Sequence, residues 1–156
     1  MKMRCMNPVT CFGGWKASFL AGMICFWVAG FTSAATSDDP MDRLQHVESF
    51  AVGGIRIAGT TSDGERALRA LLQGQNATEQ LQSLFAHATP AGQLYALLGL
   101  RVHDRATYEK ALQAFKAPEI EVETIAGCII SRAPFKQLLD RIKAGQYDPI
   151  LERPAR

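Results

Sequence analysis

The sequence predicts a mainly α domain: stacked helical hairpins with one small two-stranded β element. Three observations predict it. Four apolar stripes at i, i+3, i+4 spacing follow one another between residues 62 and 115. Each opens on a helix-capping residue, Ser62, Asn76, Thr89 or Asp104, at intervals of 14, 13 and 15 residues. Two stretches break that period: 50–59 is rich in β-branched residues and glycine, and 119–124 alternates apolar and charged side chains.

The chain opens on a different kind of segment. Residues 1–35 read as a signal peptide, with Lys2, Arg4 and Lys16 as its positive charge and a dense apolar centre at 19–31. Thr32/Ala34 and Ser33/Ala35 offer two registers of small residues for a signal peptidase, and the acidic Asp38, Asp39 and Asp42 follow. The competing reading is an uncleaved anchor, because 17–37 carries no Asp, Glu, Lys, Arg or His and is long enough to cross about 30 Å of hydrocarbon. Cys25 follows Gly22, Met23 and Ile24, which is not a lipidation pattern. The expected location is therefore periplasmic or secreted, with membrane anchoring by residues 17–37 as the alternative.

Composition agrees with one domain behind that leader. The 156 residues are 47% apolar, too many for a disordered chain, and carry 17 Lys+Arg against 15 Asp+Glu. Residues 36–156 alone hold 14 basic and 15 acidic side chains, a net charge of −1 that gives nucleic acid no footing. Cys5, Cys11 and Cys25 all fall in the leader, so cleavage leaves Cys128 as the lone cysteine. We expect it to be buried as a small apolar side chain. The sharper alternative is an intermolecular disulfide.

The domain is expected over 36–150, with a tail at 151–156. Asp39-Pro40 is an N-cap and first-turn pair that opens a short helix through Val47. Residues 50–59 then form a strand with a bulge or tight bend. Ser62 and Glu65 make a capping box before the Leu68, Leu71, Leu72 stripe, and Gly74 ends that helix. Asn76 and Glu79 repeat the capping pattern before Leu81, Leu84, Phe85 and Ala88. Thr89-Pro90 opens a helix apolar on most faces, which places it centrally, and Gly99 within it calls for close contact with another backbone. Asp104 caps the fourth helix, with Tyr108, Ala111, Leu112 and Phe115 as its stripe, and Pro118 bars continuation.

The spacing of these four helices resembles two stacked hairpins of the HEAT type, in which each hairpin buries its stripe on a neighbour. In 119–124, Ile120 and Val122 should face in while Glu119, Glu121 and Glu123 face out. Residues 125–130 extend that strand or turn away from it. Ser131 is expected to cap a last helix bearing Phe135, Leu138, Leu139 and Ile142, ended by Gly145. If successive elements alternate direction, the two strands run antiparallel, and Arg56 pairs across them with Glu121.

Residues 91–100, with Gly127-Cys128 and 145–148, resemble a set of small exported bacterial proteins of unassigned function. That resemblance spans 50–150 and rests on structural motifs. It implies export and a helical domain, and it carries no catalytic residue.

No motif points to a reaction. Gly54 to Thr61 approaches a phosphate loop, but Thr60 stands where the lysine belongs. His46, His87 and His103 have neither the i, i+4 pairing nor the Cys/His spacing of a zinc site. The three glutamates lack a turn to wrap oxygens around calcium. Asn76-Ala77-Thr78 is a glycosylation sequon only in a eukaryote. Arg66, Arg69, Arg101 and Arg105 make no basic stripe. No cofactor or metal is implied. The expectation is an exported binding or envelope accessory module with a protein or peptide partner. The alternative is an envelope hydrolase or thiol enzyme using Cys128.

Overall fold

The computed structural model describes residues 39–55 and 58–154, all within the unit Ala34–Arg156. The leader and Arg56 lie outside the described residues. Among these residues the fold is mainly α, and no helix is long and apolar enough to cross a membrane.

The opening helix α1 spans Pro40–Gln45, two residues shorter than expected, and Asp39 caps it by accepting the Met41 N–H at 3.0 Å. Strand β1, Ser49–Phe50, follows, but the strand expected over 50–59 does not continue. Gly53 takes φ +100°, a conformation side chains resist, and the chain then starts a separate two-stranded sheet as β2, Gly54–Ile55. It then doubles back as β3, Thr60–Thr61, pairing antiparallel with β2.

Four helices come next: α2 Asp63–Leu72, α3 Ala77–His87, α4 Pro90–His103 and α5 Arg105–Ala114. Their caps agree with the sequence in three cases. Ser62 accepts the Glu65 N–H, Thr89 the Gly92 N–H, and Asp104 the Thr107 N–H at 3.0 Å. That last bond, from the Thr107 main chain, holds the Asp104 carboxyl below its usual range. Asn76 makes no side-chain cap bond. The capping box at Ser62 is half formed, since the Glu65 carboxylate turns to Gly53 and Arg69 instead of back to Ser62.

Helix α4 is the hub. Leu94 through Leu100 are all buried, and the helix packs on α1, α2, α3, α5, α6, β1 and β4. Gly99 answers side chains rather than a backbone: a Cβ there would lie 2.7 Å from Leu81 Cδ2 and 2.9 Å from Leu68 Cδ1. The core thus draws its leucines from several helices at once, which is why an all-round apolar helix is stable here.

After α5 the chain forms a hairpin, β4 Glu121–Ala126 and β5 Ile129–Pro134. The reading of Ser131 as a helix cap is corrected, because Ser131 lies inside β5. Gly127, at φ +58°, supplies the positive φ that a two-residue return demands, so 129–134 run back along β4. Helix α6, Phe135–Lys143, begins directly afterwards, and the Phe135 N–H donates to Ile120 O. Phe135, Leu138, Leu139 and Ile142 are its buried stripe, as expected.

The main sheet has the order β1-β4-β5. Here the antiparallel expectation fails: β1 runs parallel to β4, pairing Ser49 with Glu123 and Phe50 with Thr124. The β2–β3 turn adds one reversal of direction before the helices, and that extra reversal changes the parity of every later element. Val122 faces the core, whereas Ile120 precedes β4 and is 40% exposed.

The chain then forms a short helix, α7, Asp148–Leu151. Arg101 on α4 holds its first residue, with Nε 3.1 Å from both oxygens of Asp148, and that contact raises the Arg101 pKa. Arg69 on α2 holds its other end.

Candidate functional site

The two edges of the sheet are built differently. In a ladder, successive residues turn their N–H and C=O groups to opposite sides. Phe50 turns to β4, so Ala51 and Gly53 turn outward. Both groups of Ala51 and the N–H of Gly53 meet side chains. The Tyr95 hydroxyl accepts from Ala51 N at 2.9 Å and donates to Ala51 O at 2.8 Å, and the Ser62 hydroxyl donates to Ala51 O as well. Glu65 Oε2 accepts from Gly53 N at 2.8 Å. Tyr95, Ser62 and Glu65 are all buried, and burial pushes the Tyr95 hydroxyl up to about 12.

Behind Glu65 lies the cleft formed by Gly53, Gly54, Gly59, Arg69 and Arg153, with a volume near 340 Å³. Gly54 and Gly59 are the glycines of the phosphate-loop look-alike, and they shape the β2–β3 turn. Arg69 offers no free donor to an anion there. Nε and Nη2 engage Glu65 Oε1 at 2.8 Å, Nη1 donates to Leu151 O and Arg153 O, and Nη2 donates to Ile150 O. All five of its N–H positions are used. This is a structural clamp.

The β5 edge has no such cover. Gly127 N donates to Gly54 O, on the β1/β2 side of β4, so 122, 124 and 126 turn to β5 and are met by 133, 131 and 129. Ile130 and Arg132 therefore direct their main-chain groups outward, where the sheet ends. Ile129 and Ile130 are 69% and 67% exposed, the two most exposed large apolar side chains among the described residues. An unpaired edge carrying two exposed isoleucines is a template for another strand, although Arg132 and Pro134 limit it.

Cys128 sits at the tip of this hairpin and is exposed, which corrects the expectation that it is core packing. The apolar neighbours that suggested burial, Ile129 and Ile130, are themselves outside. No hydrogen bond or ion pair links Cys128 to a histidine among the described residues. His46 is bonded instead to Asp42 at the end of α1, and His87 and His103 end α3 and α4.

Of the expected Arg56–Glu121 pair, Arg56 lies outside the described residues. Glu121 is exposed on β4 opposite Pro134. The glutamate that does face a cation across the ladder is Glu123, opposite Arg132. Both belong to a shallow cleft of about 400 Å³ that includes Glu48 and Thr89. A larger one, about 590 Å³, lies at the foot of the hairpin between Pro118, Ile120, Pro134 and Lys136. No group of three His, Cys, Asp or Glu among the described residues is arranged to hold a metal.

Sequence reasoning missed the edge itself. The signal was present in 125–134, where apolar residues flank Gly127-Cys128 on both sides, as in a hairpin with a two-residue turn. Compared with protein-family models, with curated proteins and with solved structures, the chain matches none.

Proposed function

We propose that this chain is an exported, non-catalytic module that binds a protein or peptide partner along the open edge of β5. In this reading α2–α5 act as two stacked hairpins of the HEAT type, a rigid backing for the hairpin that does the binding. Export rests on the basic start and apolar run of residues 1–35. The carrying observation is the exposed Ile129–Ile130 pair on a strand whose outward main-chain groups face solvent. Adding a strand there satisfies those groups through backbone bonds, and isoleucine pockets supply selectivity.

The test is capture from the native envelope, comparing the natural chain with an Ile129→Lys/Ile130→Lys variant. We expect the variant to keep its helical circular dichroism and lose the partner. Equal capture by both would overturn the assignment of the edge. The thiol-enzyme alternative is tested by Cys128→Ser. A binding module keeps its partner after that change, whereas a thiol enzyme loses turnover.

A further inference from the structure

We infer that the strand completing the β5 edge is the β5 of a second copy of this chain, paired antiparallel about a two-fold axis through Ser131. The inference rests on the reading of β5 as the binding edge and names the partner at that edge.

Three two-fold registers are open to this strand. They differ in what they place opposite what. An axis through Arg132 sets the two Arg132 side chains directly against each other and asks Pro134, which has no N–H, to bond Ile130. An axis through Ile130 needs the loop residue Cys128 to act as strand, opposite Arg132. The axis through Ser131 has neither fault. Ile130 meets the partner's Arg132, and Arg132 meets the partner's Ile130, each pair exchanging both of its N–H···O bonds. These are the residues whose main-chain groups β4 leaves turned outward.

Side chains follow the same register. Arg132 then lies between its own Glu123 and the partner's Ile130, so no like charges face one another. On the opposite face Ile129 comes beside the partner's Ala133, whose neighbour on β4 is the buried Val122. Ile129, solvated in one copy, is thereby carried onto the apolar side of the other. The result is one continuous sheet in the order β1-β4-β5-β5-β4-β1. Its two outer edges are the ones closed by Tyr95, Ser62 and Glu65. A closed, isologous pair leaves no edge to propagate further.

The register also fixes what the cysteine does. The two Cys128 residues stand at opposite ends of the paired strands, about 20 Å apart at ~3.4 Å per residue. That is beyond the reach of a disulfide. The two Ser131 residues face each other as a non-hydrogen-bonded pair, with Cα atoms about 4.5 Å apart.

The experiment uses the full chain, expressed with its leader and recovered as the cell processes it. Sedimentation gives the oligomeric state, and mild oxidation followed by peptide mapping identifies any linked cysteine. We expect a dimer, no link through Cys128 in the natural chain, and efficient cross-linking of a Cys128→Ser/Ser131→Cys variant. Ile130→Lys should weaken the dimer by about tenfold or more, from loss of one buried isoleucine per copy. A monomer at every concentration, with Ile129→Lys/Ile130→Lys still abolishing capture of another protein, would overturn the second copy and leave the edge assignment standing. A dimer linked through Cys128 would overturn the register. A dimer and a capture both indifferent to these changes would overturn the edge assignment as well.

Discussion

The same three-stranded sheet ends in two ways. At β1, the outward main-chain groups of Ala51 and Gly53 are met by Tyr95, Ser62 and Glu65, polar side chains held in place by α2 and α4. At β5, Ile130 and Arg132 turn their groups to solvent beside two exposed isoleucines. One edge is closed from within by side chains, and the other faces solvent. The closed edge is costly to disturb because its polar groups have no access to water. The open edge is cheap to change, because its side chains are already solvated.

The largest expected effect is at the closed edge. Arg69→Ala leaves Glu65, whose side chain is 3% exposed, as an unpaired buried carboxylate and frees the carbonyls of Ile150, Leu151 and Arg153. We expect a loss of about 3–5 kcal/mol in chemical denaturation. A loss below 1 kcal/mol, on the order of an exposed pair, would contradict the clamp.

Next, Tyr95→Phe keeps the ring against Phe50, at 4.8 Å between centroids, but removes the hydroxyl that serves both groups of Ala51. The expected cost is about 1–3 kcal/mol. The same hydroxyl gives the fold an alkaline limit. Burial raises its pKa from 10.0 to about 12, so the folded state keeps the proton more tightly than the unfolded chain. That contribution is fully present below pH 10 and is lost as pH rises towards 12, amounting to about 2–3 kcal/mol. Denaturation midpoints should fall across that window in the natural chain and flatten in Tyr95→Phe.

The smallest effects belong to the open edge. Ile130→Lys should change the stability of a single copy by no more than about 0.5 kcal/mol, since the side chain is largely solvated already. Glu123→Gln should cost about 0.2–1 kcal/mol through its cross-strand partner Arg132. If Ile130→Lys destabilised the monomer as much as Tyr95→Phe, the contrast between the edges would collapse.

Much of the helical layer was legible from sequence. The stripes at Leu68/Leu71, Leu81/Leu84, Leu94/Leu97 and Leu138/Ile142 are all core, because apolar periodicity reports burial directly. The central position of α4 followed from the same logic. The sheet was less legible. One glycine, Gly53, splits what reads as a single strand, and the β2–β3 reversal that follows sets whether β1 and β4 run parallel. Ser131 suits a helix cap by its chemistry and becomes a strand residue because Gly127 turns the chain four residues earlier. Cys128 was misplaced because its isoleucine neighbours suggest a core, and local apolarity does not distinguish an interior from an uncovered edge. Arg69 looked like one of several scattered cations. Besides Glu65 four residues earlier, its acceptors are main-chain carbonyls 81 to 84 positions away, which no side-chain pattern can announce.

That distance has a consequence for how the chain is made. The buried carboxylate of Glu65 and the guanidinium of Arg69 are synthesised early, but the carbonyls that complete their bonding leave the ribosome some eighty residues later. Until then Arg69 has only Glu65, on its own helix, to bond, and its Nη1 lacks both of the acceptors it holds in the folded chain. The clamp of Arg69 on the carbonyls of Ile150, Leu151 and Arg153 can therefore close only once the last residues of the chain have been made.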